Sequence, residues 1–445
     1  GSSTTARTID GILADGLANT TNSRTHARQH LLSGYYNGTF GKWQLNADID
    51  LLWKTDDSDN ALNETSATNA PRQFSIHNDI TNRLIAASLS ASFPVWKGRI
   101  NFGAETSDID RTDRYDSEAP FITPNDTHID ETIVAIFGDI SQQFGPVDLS
   151  VGLRYEHTDS RFYLYGVRRP DESRREGRLF PSATVAIPVG AVNMRLSYSR
   201  KTSRPAFAQL NSAIRYKNRY TYESGNPYLR PILRDNLTFT ATWRDLAVEL
   251  DYTSTDNYFM WQTVPYPGNP DVTLLQMQNM PRFNTLSAMA NYAPAFGCWH
   301  PVLMAAVETS DFSLVHAGTT MRLNRPIGVF RFNNALHLPW DMWLNADFSC
   351  RTAGDAENLH VRPTWQCNLA LYKAFANDTW AVRLSLDDVF ATSRSRVTIY
   401  DTISATSIDK RYDTRDLQLT VTWRLNPARS KYRGRGAAHD QRDRL

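Results

Sequence analysis

The stretch Trp43-Gln44-Leu45-Asn46-Ala47-Asp48-Ile49-Asp50-Leu51-Leu52-Trp53 decides the fold class. Trp43, Leu45, Ala47, Ile49, Leu51 and Trp53 interleave with Gln44, Asn46, Asp48 and Asp50. Side chains of a β-strand point alternately to its two faces, so this segment has one apolar face and one polar face. The pattern returns at Val147, Leu149, Val151, Leu153 and Tyr155 against Asp148, Ser150, Arg154 and Glu156. Leu237, Phe239, Ala241 and Trp243 alternate with threonines, and Leu246, Val248, Leu250 and Tyr252 with Glu249 and Asp251. Leu417, Leu419, Val421, Trp423 and Leu425 oppose Gln418, Thr420, Thr422 and Arg424. No helical periodicity of comparable length competes. The chain reads as all-β.

Each run is roughly 9–12 residues, the length of a tilted strand crossing a bilayer and about twice a typical soluble strand. Such strands are expected near 29–40, 42–53, 147–157, 237–243, 246–253, 380–390 and 415–425. The connections alternate in kind. Tight ones fall at Phe40-Gly41-Lys42, Pro94 to Gly98, Gly145-Pro146, Val189-Gly190, Arg244-Asp245, Pro294 to Gly297, Pro339 to Asp341 and Asn377-Asp378. Between them lie polar segments near 54–78, 106–128, 158–177, 201–233, 257–278, 309–325, 352–363 and 391–414. Short turns on one side and long loops on the other mark a transmembrane barrel wall of antiparallel strands. Trp43, Trp96, Trp243, Trp299, Trp340, Trp343, Trp380 and Trp423 all sit beside a short turn or near the end of the last strand. Indole prefers the headgroup level, so this one-sidedness implies an inner aromatic girdle.

Composition narrows the alternatives. The 445 residues carry 48 Lys+Arg against 47 Asp+Glu, so no bulk field draws nucleic acid. The uncharged stretch from Phe283 to Val307 is long enough for a membrane helix, but Pro294, Gly297 and Pro301 break it into strands and a turn. Cys298, Cys350 and Cys367 form no Cys-x-x-Cys pair. Cys350 and Cys367 are expected as neighbouring free thiols on the lipid-facing side. The first residues have neither the basic start nor the apolar core of a signal peptide. The expected division is an extracellular loop remnant over 1–28, a barrel over 29–425 and a basic periplasmic tail over 426–445. Eight short turns imply sixteen flanking strands, and the final one makes about 17. Parity then expects the chain to start inside a barrel, with an odd number of strands upstream. A Kelch-type propeller has a similar roughly 50-residue period, but its blades pack four short strands each.

Catalytic signatures do not emerge. His-Glu-x-x-His, Gly-x-Ser-x-Gly and a Gly-rich loop before a helix are all missing from the sequence, so no enzyme and no cofactor is expected. Asp48/Asp50 and Glu249/Asp251 share strand faces, as an acid–base pair would, but read as solvated lumen residues. Asp108, Asp110, Asp113 and Asp116 offer carboxylates for calcium without a matching ligand loop. Two loops mix aromatics with hydrogen-bonding groups: Arg215, Tyr216, Lys217, Arg219, Tyr220 and Tyr222 in one, Tyr258, Trp261, Gln262 and Tyr266 in the other. Aromatic faces stack on sugars or flat chelates, and cations pair with anions, so these are the candidate substrate-binding residues. The plainer alternative is that they pack against one another and meet lipopolysaccharide.

Several local sequences carry a family likeness. Gly152-Leu153-Arg154-Tyr155-Glu156 resembles a strand common in TonB-dependent outer-membrane receptors. Arg204-Pro205, Leu210-Asn211 and Gly225-Asn226-Pro227 with Leu229 and Pro231 are similar, in order, to a segment of those receptors. Leu386-Asp387-Asp388-Val389-Phe390 resembles their penultimate Asn-Asp-Ile/Leu-Phe element, with Asp387 in place of Asn. The tail Ser430-Lys431-Tyr432-Arg433-Gly434-Arg435-Gly436-Ala437 looks like that of the outer-membrane β-barrel branch.

The resemblance implies a 22-stranded barrel around a plug domain, with energy delivered by the TonB complex through an N-terminal box. Neither plug nor box is in this sequence. Its partners would be outer-membrane lipid, the TonB complex through the missing N-terminal plug region, and an unknown nutrient ligand. Two other readings remain: a passive diffusion channel, and a soluble β-rich binding protein.

Overall fold

The computed structural model describes residues 2–9, 12–267, 269, 271–376, 379–424, 441, 443 and 444. The expected turn at Asn377-Asp378 and the tail motif from Ser430 to Ala437 lie outside the described residues.

Long hairpins open the chain: β1 (Ser2–Ile9), β2 (Ile12–Phe40), β3 (Trp43–Ser66), β4 (Arg72–Val95), β5 (Gly98–Ser117), β6 (Asn125–Phe144) and β7 (Val147–Leu164). After the two-residue β8 (Val167–Arg168) come β9 (Arg174–Val189) and β10 (Val192–Ser203). The next connection holds one helical turn, α1 (Phe207–Leu210), with β11 (Ile214–Asn218) and β12 (Thr221–Ser224). β13 (Ile232–Trp243) and β14 (Leu246–Asp256) return to the wall, and β15 (Phe259–Pro265) and β16 (Thr273–Asn279) form the following loop. β17 (Phe283–Tyr292) and β18 (Trp299–Ser310) precede the loop hairpin of β19 (Ser313–His316) and β20 (Thr319–Arg322). β21 (Ile327–Leu338) and β22 (Met342–Arg351) are followed by β23 (Gly354–Ala356) and β24 (Leu359–Val361). The chain closes with β25 (Thr364–Phe375), β26 (Trp380–Asp387), β27 (Arg394–Tyr400), β28 (Ala405–Arg411) and β29 (Asp416–Trp423).

One 19-stranded sheet makes the wall. Setting aside β1 and the short β8 leaves seventeen long strands in an antiparallel meander, as the turn count anticipates. Four-stranded propeller blades are not the architecture. Among the described residues no ladder joins β29 to β1 or β2. Glycine serves the tightest turns, where Gly41 and Gly145 adopt φ of 61° and 60°.

Ladder partners point to the same side, so one face can be followed around the wall from register alone. Leu45, Ile49, Leu149, Leu153, Leu250, Leu384, Leu419 and Val421 all fall on a single face. Leu384 pairs with Leu419, and Val382 with Val421. Asp48, Asp148, Arg154, Glu249, Arg383 and Thr420 occupy the opposite face; Glu249 pairs with Thr240 and Arg383 with Thr420. Ile49, Leu153, Leu250 and Leu419 are exposed on the apolar side, where lipid rather than protein covers them.

Several expectations need correction. The polar segments 54–78 and 106–128 are mostly strand, because β3 runs to Ser66, β4 begins at Arg72, and β5 and β6 leave only a short connection. Beyond the lipid both faces are wet, so the ladder continues while the alternation of hydrophobicity disappears. For the same reason residues 12–28 are strand, paired with β3 from Leu17 onward. The acidic group is split by strand alternation. Asp113 faces inward, 3.1 Å from Arg111, whereas Asp108, Asp110 and Asp116 face outward. Trp43, Trp243, Trp380 and Trp423 keep the girdle position, the last two stacked at 5.5 Å. Trp343 does not. It turns inward against His337 and His300, with ring centroids at 4.7 and 5.6 Å.

Nor is the interior uniformly wet. Leu52, Leu84, Ile109, Ile129 and Phe162 project from β3 to β7 into the lumen and bury Phe207, Leu210 and Leu229 of the loop after β10. That loop therefore folds down into the barrel mouth. Arg444 also lies within: its guanidinium donates to Glu131 at 2.6 Å and stacks over Phe207. The Arg444 guanidinium compensates the charge of the buried Glu131 carboxylate.

Candidate functional site at the barrel mouth

The two loops singled out in the sequence form one structure. β12 pairs in parallel with β16, joining β11 and β15 into a four-stranded sheet. Thr221 opposes Thr273, and Gln262 opposes Gln276. Aromatic rings run through the junction. Tyr216 and Tyr222 lie 5.6 Å apart, and Tyr222 meets Tyr266 edge-on at 5.0 Å. Phe74 of β4 and Phe121 of the connection between β5 and β6 complete the cluster around Tyr216.

Most of the first loop's candidates fasten it down. Tyr216, Tyr222 and Arg219 are buried, so a ligand cannot reach their faces. Arg219 donates through Nε to Glu64 at 2.7 Å and through Nη2 to the Ala70 carbonyl at 2.7 Å. Arg72 donates to the Tyr216 hydroxyl at 3.1 Å and lies over Phe121 at 4.4 Å. The Tyr220 hydroxyl donates to Asp15 at 2.8 Å, and Lys217 pairs with Glu223 at 2.9 Å. Burial pushes the Tyr216 and Tyr222 hydroxyls up from their ordinary values, keeping them neutral. In the second loop Gln262 is also buried and accepts from Thr402 at 3.0 Å. Tyr258 packs edge-on to Phe283 at 5.7 Å.

Arg215, Trp261 and Tyr266 remain at least partly open. Tyr266 lines a cavity of about 590 Å³ whose rim includes Glu172, Ser212, Asn226, Tyr228 and Gln276. Tyr228 is exposed and donates its hydroxyl to Glu172 at 3.2 Å. The Glu172 charge raises the Tyr228 pKa, so the phenol stays protonated. Sequence reading missed Tyr228 and Gln276. The Gly225-Asn226-Pro227 turn was the available signal, since it aims the next side chain across the loop. An aromatic face, a phenol, an amide and a carboxylate around one concavity can stack on and hydrogen-bond a polar solute.

This wall and mouth define a class: an antiparallel β-barrel protein of the bacterial outer membrane. The model of the outer membrane protein beta-barrel family matches residues 39–423, and the chain belongs to that family. No curated protein matches it by sequence. Solved structures with the same fold include the ferric yersiniabactin uptake receptor FyuA from Yersinia pestis, at 12% identity and a TM-score of 0.56 over 92% of this chain. The hemophore receptor HasR of Serratia marcescens is 13% identical with a TM-score of 0.54, covering 92% of this chain and 71% of its own. The copper transporter OprC gives 9% identity and a TM-score of 0.58, covering 92% of this chain and 76% of its own. The chain spans 63% of the length of FyuA. At such identities the likeness is one of fold.

Proposed function

We propose that the chain is the barrel wall and mouth of a receptor that captures a polar nutrient and imports it actively, driven by the TonB complex through a plug region of the whole receptor. One observation carries this reading. Two loops on either side of the β13–β14 hairpin are built into one sheet, tied to the wall by Arg219–Glu64, and frame the cavity at Tyr228 and Tyr266. A passive pore needs the opposite, an unobstructed mouth. The similar structures named above are an uptake receptor, a hemophore receptor and a transporter, which agrees with import. The nutrient itself is not specified by this geometry.

The test is uptake of labelled nutrients by cells carrying the full-length gene, with and without an uncoupler of the inner-membrane proton gradient. Uptake that the uncoupler abolishes supports the proposal. Uptake that is unsaturable and indifferent to the uncoupler replaces it with a diffusion channel.

A further inference from the structure

We infer a second binding site, for oxyanions, on the lumen face where β21, β22 and β25 meet the loop after β26. It rests on the reading of the chain as a solute receptor, and names one chemical class that the receptor takes. Register places the groups. Arg331 opposes Ser349, which opposes Gln366; one row higher, Val329 opposes Arg351, which opposes Thr364. Both rows share the face that carries Arg383 and Thr420, the lumen side. They floor a cavity of about 470 Å³, roofed by Ser393, Arg394, Ser395 and Tyr412.

What marks this cavity is a pair of arginines with no carboxylate beside them. Between β3 and β9 several inward arginines are matched by carboxylates: Arg111 by Asp113 at 3.1 Å, Arg154 by Glu105 at 2.6 Å, Arg178 by Glu176 at 2.6 Å. No carboxylate lines the cavity at Arg331 and Arg351. Arg394 is neutralised by Asp409, to which its Nε donates at 2.6 Å. Asp347 is the nearest inward carboxylate on these strands, one row below Ser349 and opposite Asn333 and Asn368. Among the described residues neither Arg331 nor Arg351 is joined to a carboxylate, and Nε of Arg351 is buried without a hydrogen-bond partner. Unpartnered buried guanidinium N–H is expensive to keep. Two planar forks flanked by hydroxyls and an amide match a carboxylate or phosphate group, which supplies the missing acceptors.

The experiment uses the intact receptor in detergent micelles, with equilibrium dialysis of radiolabelled citrate and of inorganic phosphate. Saturable binding of either anion is expected, and the anion that binds identifies the group recognised. Arg331→Gln and Arg351→Gln should each weaken it by roughly tenfold or more, and the double variant should abolish it. Arg331→Lys and Arg351→Lys keep the charge and the fold and should retain part of the affinity. Heat-modifiable migration on gels verifies that each variant is folded. Binding that is undiminished in the folded double variant, or no saturable binding of either anion to the unaltered protein, overturns the site. Energised uptake is a separate readout: anion binding without energised uptake would remove the receptor reading and leave the site, and energised uptake without anion binding would do the reverse.

Discussion

Arg219 and Glu64, 155 residues apart, form a buried ion pair with Nε donating at 2.7 Å, and the Arg219 backbone N–H donates to the same carboxylate at 3.0 Å. A loop of the mouth is thereby bolted to β3. Removing one member of such a pair leaves the other charge buried, at a cost of about 3–5 kcal/mol. Arg219→Met or Glu64→Gln should therefore free the loop between β10 and β13 while the wall stays intact. Surface proteolysis of whole cells reads this directly: cleavage should appear within 204–231. Joint replacement by Arg219→Met and Glu64→Leu should recover much of the protection. Equal protease resistance in the single variants and the unaltered protein would show that the pair does not hold the loop.

Leu419 and Thr420 test the two faces of the wall. Leu419 pairs with Leu384 on the lipid side, and Thr420 pairs with Arg383 on the lumen side. Arg at Leu419 should cost ~2–4 kcal/mol near the bilayer midplane, and Arg at Thr420 far less. Folding titrations into lipid vesicles measure both. Equal tolerance at the two positions would reverse the assignment.

Much of this was readable in the sequence, for a physical reason. Within the bilayer one face must be apolar and the lumen face polar, so Leu45, Ile49 and their counterparts announce both strand and orientation. Above the bilayer that constraint lapses. Thr55 to Ser66 is polar apart from Ala61 and Leu62 and reads as loop, though it is the upper half of β3. The candidate loops were visible as mixtures of Tyr and Arg. Whether Tyr216 packs or binds depends on Phe74 of β4 and Phe121 of the β5–β6 connection, which are distant in sequence and which no local pattern reveals. The arginine site was harder still, because Arg331 and Arg351 are ordinary lumen residues until the register brings them together without a carboxylate.

Asp388 makes a prediction in acid. Its carboxylate accepts from Thr414 at 2.5 Å and from the backbone N–H groups of Thr392 and Ser393 at 3.0 Å each, tying together the connections that flank β27 and β28. Burial pushes its pKa up, but these hydrogen bonds outweigh burial and hold it below the ordinary carboxylate range. A folded-state pKa that is depressed gives stability above the unfolded value, about 3.9, which is lost as pH falls through the folded value. Protection of the 388–414 region should be flat from pH 7 to 5 and decline below about pH 4. Asp388→Ala should expose that region at neutral pH. Hydrogen exchange across the pH range checks both, and an unchanged acid profile in the variant would assign the loosening to other groups.

Cys350 and Cys367 share the lipid face but are offset by two positions, since Cys350 opposes Trp365 and Cys367 opposes Phe348. Both are free, as is Cys298, which lies exposed near a short turn. In vesicles a membrane-permeant maleimide should modify Cys350 and Cys367, whereas a charged maleimide should reach only Cys298. A shift in gel mobility on reduction would contradict the free thiols.

The mouth separates residues that build it from residues that can meet a solute. Tyr216 and Tyr222 are buried among Phe74, Phe121 and Tyr266, and truncating either to Ala removes a ring from a packed cluster, at a cost of about 3–5 kcal/mol by analogy with other buried aromatics. Tyr216→Ala and Tyr222→Ala should lower the amount of folded receptor at the surface, and any fall in uptake should track that loss. Tyr228 lies on the open side of the cavity, and Tyr266 lines it from the cluster's edge. Tyr228→Ala should leave surface amount unchanged and still reduce uptake several-fold, because only a solute contact is lost. Tyr228→Phe keeps the ring and loses the bond to Glu172, so it separates stacking from hydrogen bonding. Trp261, exposed at the edge of the loop sheet but outside the cavity lining, serves as the comparison, and Trp261→Ala should change uptake little. The measurement is uptake normalised to surface-labelled receptor for each variant. If Trp261→Ala proves the damaging change and Tyr228→Ala the harmless one, the solute meets the loop sheet at β15 rather than the cavity beneath Tyr228.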